Sequence, residues 1–231
     1  MFVNRLFFVL VLVEVFGADA ATGYLEERTS EAAAKSSTLP EIYLIGDSIR
    51  KGYCEDVRKV LEGKAEVRWP EGNCANSQNI LINLGWWRKC VSSPAVIQFN
   101  CGQWDAAHWD GDAEPITSLE EYGRNVRLII RRLRRYYPNA VLVYATTTPM
   151  NPAGVRGGNR RTTEEIRRYN AVGVAVAKEE GIAVNDLFAW TEMWPASDWA
   201  DYCHFKPEPN VRLGKLVADN LFGRVPAVGQ Q

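Results

Sequence analysis

Five candidate strands, four of them apolar nearly throughout, alternate with helical stretches and constrain this chain more than any other feature. The four are Ile42-Tyr43-Leu44-Ile45, Ala95-Val96-Ile97-Gln98-Phe99, Ala140-Val141-Leu142-Val143-Tyr144-Ala145 and Ile182-Ala183-Val184-Asn185, and Glu66-Val67-Arg68-Trp69, closed by Pro70, can be the fifth. Between them, apolar residues recur at helical spacing. Val57, Val60 and Leu61 mark a helix over 51–62, and Ile80, Leu81, Leu84 and Trp87 mark a second. Val126, Ile129, Ile130 and Leu133 mark a third over 117–136, with further helices over 162–180 and 207–221. Strands of four to six residues that are apolar nearly throughout must be covered on both faces, which is the signature of a parallel sheet between two helix layers. The expected fold is α/β, a three-layer α/β/α sandwich on a five-stranded parallel sheet. In such folds chemistry sits beyond the carboxyl ends of the strands, here just after Ile45, Trp69, Phe99, Ala145 and Asn185.

The 231 residues suit one domain with a short extension. Asn4 and Arg5 precede the apolar run Leu6 to Val13, and Ala18-Asp19-Ala20 closes the segment. A basic start, a short apolar stretch and an A-x-A ending describe a secretory signal peptide over residues 1–21. A buried or anchoring N-terminal helix is the competing reading. Residues 22–39, rich in Ala, Ser, Thr and Glu without an apolar stripe, read as a linker or arm. The folded domain is then expected over 40–223, with a tail over 224–231. Lys plus Arg is 27 and Asp plus Glu is 28, so net charge gives no argument for a nucleic-acid partner or an anionic membrane surface. No other segment is long and apolar enough to suggest stable membrane insertion once the leader is removed.

The five cysteines are Cys54, Cys74, Cys90, Cys101 and Cys203. Export makes one or two disulfides plausible, and the odd count leaves at least one thiol over. Their spacings fit no zinc motif, and the sequence does not choose the pairing.

Two motifs carry chemistry. Gly46-Asp47-Ser48-Ile49 follows the first strand and puts a serine at a helix N-terminus, where free N–H groups and the positive dipole end favour a developing oxyanion. The bland alternative is a helix cap. Asp201-Tyr202-Cys203-His204 precedes the last helix. A serine needs a base, histidine serves best near neutrality, and a carboxylate fixes the histidine's tautomer. The chain has only two histidines, His108 and His204.

G-D-S after the first strand, with D-x-x-H before the last helix, resembles the SGNH (GDSL-type) hydrolases. The resemblance covers residues 40–222 and implies a flavodoxin-like sandwich that hydrolyses acyl esters. It implies Ser48 as nucleophile, His204 as general base and Asp201 as the carboxylate behind it. The oxyanion hole implied is the Ser48 N–H, a backbone N–H from the loop Pro70-Glu71-Gly72-Asn73-Cys74-Ala75-Asn76-Ser77, and a side-chain amide after the third strand. In that loop Ala75 or Gly72 holds the family's glycine position; Ala75 suits it if its φ is negative. After the third strand the chain reads Asn100-Cys101-Gly102-Gln103-Trp104-Asp105 where the family has G-x-N-D, so Asn100 is carried over as the amide donor and Gly102 as the turn.

The expected activity is that of a secreted serine esterase acting on acyl esters, O-acetyl groups on carbohydrate foremost, with no metal and no organic cofactor. The partner is a small-molecule or polysaccharide ester; oligomeric state is open. A lipid or lysophospholipid esterase and a catalytically silent carbohydrate-binding protein are the alternatives. Elsewhere His108 reads as a surface-loop histidine. The arginines at 124, 127, 131, 132, 134 and 135 read as a solvated helix face. Trp190, Trp194 and Trp199 read as packing, and the loop 146–161 as a wall of the site.

Overall fold

The computed structural model describes residues 39–154 and 159–227. The leader and nearly all of the arm expected at the N-terminus lie outside the described residues, as do the last four residues of the tail.

The strands are β1 (Glu41–Ile45), β2 (Glu66–Arg68), β3 (Pro94–Phe99), β4 (Val141–Ala145) and β5 (Ala183–Asn185). All pairings are parallel and the order is β2-β1-β3-β4-β5. The helices are α1 (Ser48–Val60), α2 (Ser77–Trp87), α3 (Leu119–Tyr136), α4 (Thr163–Glu179), α5 (Leu187–Thr191) and α6 (Pro207–Phe222). All five expected strands and five expected helices are present. The short α5 has too few residues to show a helical repeat in sequence.

The sheet separates two apolar layers. Ile42 and Leu44 of β1 face α1 and α6, packing with Tyr53, Val57, Leu213 and Val217. Tyr43 and Ile45 of the same strand face the other side, where Ile80 and Leu84 of α2, Val126 and Ile130 of α3, and Ile166 and Tyr169 of α4 close the core. Alternate residues of one strand thus serve opposite layers, as the two-residue strand period requires. α1 and α6 pack directly on each other. Gly214 permits it, since a Cβ there would lie 2.7 Å from Asp56 Cβ. This contact positions the site, because Ser48 opens α1 and His204 stands just ahead of α6.

The strand order reverses between β1 and β3, the switch point where ligands of such sheets bind. Their carboxyl ends are joined there by the Asn100 N–H, which donates to Ile45 O at 3.0 Å.

The five thiols are all unpaired, so the expected disulfides are absent. Their sulfurs are engaged elsewhere: Cys54 and Cys74 face Arg50, Cys101 faces the Tyr122 hydroxyl, and Cys203 faces Arg161. The α3 arginines do more than meet solvent. Arg127, Arg131 and Arg134 pair with Glu179 or Glu180 at the end of α4. Trp194 and Trp199 pack on Phe205, in agreement with the packing reading.

Candidate active site

Ser48 is the first residue of α1, so its N–H has no acceptor within the helix. The cap is the preceding residue: Asp47 Oδ1 accepts from the Ile49 N–H at 2.9 Å. Capping and candidate chemistry are thus divided between neighbours, and the serine hydroxyl is left for other work. Asp47 is fully buried, and burial raises its carboxyl above the usual range, against the pull of nearby Asn100, the Ile49 N–H, Arg161 and Arg50.

His204 Nε2 lies 2.7 Å from Ser48 Oγ, across 156 residues of sequence. On the other side of the ring, Nδ1 lies 2.7 Å from Asp201 Oδ2. A carboxylate only accepts, so Nδ1 carries the proton and Nε2 is free to accept from the serine hydroxyl. Asp201 Oδ1 also accepts from the N–H groups of Cys203 and His204, both at 2.8 Å. Burial alone would raise the Asp201 carboxyl. The Cys203 N–H, the imidazole and the His204 N–H outweigh it and hold the carboxyl below its ordinary value. The turn is braced from outside as well. The Ala200 N–H donates to His204 O, and Asn151 of the loop after β4 donates from its N–H to Tyr202 O and from Nδ2 to Asp201 O.

Asn100 stands at the end of β3, 1 % exposed, beside the Asp47 carboxyl that it pulls down, and neither Nδ2 nor Oδ1 completes a well-aligned hydrogen bond. A buried amide left unsatisfied is costly unless a ligand or transition state completes it. Gly102 turns the chain after it with φ 127°, a conformation open to glycine and strained for other residues. Asp105 then reaches back: its carboxylate accepts from the Gly102 N–H at 3.0 Å, the Ser77 N–H at 3.0 Å and the Ser77 hydroxyl at 2.5 Å. Burial drives the Asp105 carboxyl up to about 6, although these donors pull it down.

The condition placed on Ala75 is not met. Its φ is 53°, and its N–H donates to Asn73 Oδ1 at 2.8 Å in a local turn closed by that side chain. Gly72 also has positive φ, 78°, and is exposed. The left-handed geometry that a glycine would hold is therefore present at both positions, one of them occupied by alanine.

His108 is not a surface histidine. It is 5 % exposed, with Nδ1 bonded to Asp112 O and Nε2 2.9 Å from Glu165 Oε1, and no hydrogen bond connects it to Ser48 or Asp201. The loop 146–161 does flank the histidine turn. Besides Asn151, Arg161 directs NH2 at Cys203 Sγ, 3.5 Å away, and stacks 5.2 Å from the Tyr202 ring. Gln103 Oε1 accepts from Arg161 Nε at 2.8 Å. Arg50, Asn151 and Arg161 carry no periodic or motif signal in sequence. Only their positions beside G-D-S or on a site-facing loop hinted at them.

Residues 44–208 match the GDSL-like Lipase/Acylhydrolase family. A GDSL esterase/lipase of Arabidopsis thaliana is 30% identical over 198 residues, 74% of this chain and 81% of the relative. A second GDSL esterase/lipase, from Oryza sativa subsp. japonica, is 30% identical over 118 residues, 48% of this chain and 44% of the relative. Among solved structures, a lipase/acylhydrolase from Enterococcus faecalis superposes with a TM-score of 0.65 at 20% identity, covering 81% of this chain and 98% of its own. An acetyl xylan esterase gives a TM-score of 0.63 at 14% identity, covering 78% and 99%. The molecule is a carboxylic ester hydrolase on a five-stranded parallel α/β fold. It belongs to the GDSL-like lipase/acylhydrolase family.

Proposed function

We propose that the chain is an exported serine esterase that removes acyl groups, O-acetyl groups foremost, from carbohydrate through an acyl-enzyme on Ser48. The observation that carries this reading is the continuous line from Asp201 Oδ2 through the His204 ring to Ser48 Oγ, with 2.7 Å at each junction. Ser48 Oγ attacks the ester carbonyl while His204 Nε2 takes its proton. The tetrahedral oxyanion forms beside the Ser48 N–H and the Asn100 amide; of the two loop candidates for the third donor, Gly72 is the one left, because the Ala75 N–H already donates to Asn73 Oδ1. His204 then returns the proton to the leaving alkoxide, releasing the alcohol. Water, deprotonated by His204, attacks the acyl-enzyme and frees the acid, restoring Ser48. No step needs a metal or an organic cofactor. Asp201, held ionised, balances the imidazolium formed in each half-reaction.

A polar rim supports a polar alcohol as leaving group. The Arg161 guanidinium and the Tyr202 ring border the histidine turn. Flat aromatic faces and fixed hydrogen-bonding groups suit a sugar ring. Export rests on the basic, apolar and A-x-A pattern of residues 1–21.

The test is acetate release from a panel of acetylated glycans, beside p-nitrophenyl acetate and octanoate, by the wild type and Ser48→Ala. The reading expects acetate from at least one glycan, preference for acetate over octanoate, and silence in Ser48→Ala. Preference for octanoate would favour the lipid esterase. Tight glycan binding without turnover would favour the silent binder.

A further inference from the structure

We infer that Arg50 is a positioning residue, whose single guanidinium ties the turn before the nucleophile to the loop that supplies the backbone side of the oxyanion hole. This rests on the Ser48 reading given above.

Arg50 is 1 % exposed and makes no ion pair with a carboxylate among the described residues. A buried cation of this kind is expensive and must be satisfied by oriented dipoles. NH2 has the carbonyl oxygens of Gly46, Pro70 and Gly72 at 3.1, 3.3 and 2.7 Å, with Cys74 Sγ at 3.7 Å. Gly46 lies two residues before Ser48. Pro70, Gly72 and Cys74 belong to the segment ahead of Ala75, which has no regular structure of its own. The same Gly46 carbonyl also accepts from the Cys74 N–H at 3.1 Å. Hence β1's end and the 70–74 loop share one anchor, and the guanidinium is its centre. The Cys74 end of the loop is also held by its own N–H on Gly46 O and by Asn79 Nδ2 on Cys74 O, so the guanidinium's particular share is the Pro70–Gly72 part; misplacing an oxyanion donor by about 1 Å costs on the order of 100-fold in rate. The three carbonyls converge on one guanidinium nitrogen, NH2, while NH1 meets Cys54 Sγ at 3.9 Å; the more compact ammonium of lysine carries the charge but not this planar placement.

The experiment uses the full chain with Arg50→Met, Arg50→Lys and, as the control on the underlying reading, Ser48→Ala. Melting temperature, kcat and KM are measured with p-nitrophenyl acetate well below the melting range. Inhibition by phenylboronic acid, whose adduct with a serine is a tetrahedral anion, is measured alongside. The expected result is a kcat lowered on the order of 100-fold in Arg50→Met with KM little changed. Boronate affinity falls in parallel, and Arg50→Lys recovers part of both. A purely structural role would lower the melting temperature and leave kcat and boronate affinity alone in the folded protein. That outcome overturns the inference. So does failure of both variants to fold, which would place the role of Arg50 in the core. Should Ser48→Ala stay active, the Ser48 reading itself falls. Should it be silent while folded Arg50 variants keep full kcat, only the positioning claim falls.

Discussion

The Asn100 amide rests against Gly46 so closely that a Cβ on the glycine would lie 1.9 Å from Asn100 Oδ1. The glycine of G-D-S thus makes room for an amide arriving from another strand. Gly46→Ala is expected to displace Asn100 and lower kcat on the order of 100- to 1000-fold, as Asn100→Ala does by removing the amide. Because both substitutions remove one donor, the double variant should be little worse than either alone. Steady-state kinetics on the three proteins check this. Additive losses would show that Gly46 acts on something other than Asn100.

Asp201 holds both the His204 ring and the backbone of its own turn. Asp201→Asn can still accept the two backbone N–H groups but cannot enforce the proton on Nδ1. It is expected to stay folded and lose roughly 10²- to 10⁴-fold in kcat. Asp201→Ala removes the turn's acceptor too, so it should also melt lower. Equal melting temperatures for the two variants would contradict the dual role.

Ala75 occupies the left-handed region with φ 53°. That conformation costs an L-residue about 1–2 kcal/mol, part of which glycine recovers after its own entropic loss of about 0.4–1 kcal/mol. Ala75→Gly is expected to raise stability by roughly 0.5–1 kcal/mol and leave kcat intact, as read by denaturant unfolding and turnover. Destabilisation would mean that the alanine methyl makes packing that outweighs the strain.

Asp105 gives stability a pH slope. Its folded value is about 6 against an ordinary 3.8, so between these the folded state holds the extra proton. Stability from this group is therefore fully present below about pH 3.8 and is lost as pH rises through about 6. The span corresponds to roughly 2–3 kcal/mol. Buried Asp47, also raised, adds a slope of the same sign in every variant. Comparing wild type with Asp105→Asn from pH 4 to 7 isolates Asp105: the asparagine protein should gain relative to wild type as pH rises. A constant difference across the range would contradict the assignment.

The sheet and its helices were legible because they follow from periodicity. Apolar runs without polar alternation demand two covering layers, and the chain has helices to supply them. The meeting of Ser48, His204 and Asp201 was legible because G-D-S and D-x-x-H put chemistry-bearing types at strand and helix ends. What escaped the sequence was set by contacts between distant residues. His108 lies in an acidic, aromatic loop and reads as exposed, yet Glu165 from the first turn of α4 buries it. The positive φ at Ala75 has no marker, because alanine does not announce left-handed backbone as glycine does. Arg50 looks like one more helix cation until Gly46, Pro70 and Gly72 converge on it. Cysteines behind an expected leader suggest disulfides, but only geometry shows that all five stay unpaired and that Cys54 and Cys74 turn to the same arginine, Arg50.

The central claim is that Ser48 is made nucleophilic by His204. It is tested most directly by treating the protein with a fluorophosphonate ester and locating the adduct by peptide mass spectrometry. The account predicts one adduct, on Ser48, formed rapidly by wild type and barely at all by folded His204→Ala. An adduct on any other residue, or undiminished labelling of Ser48 without His204, would contradict it.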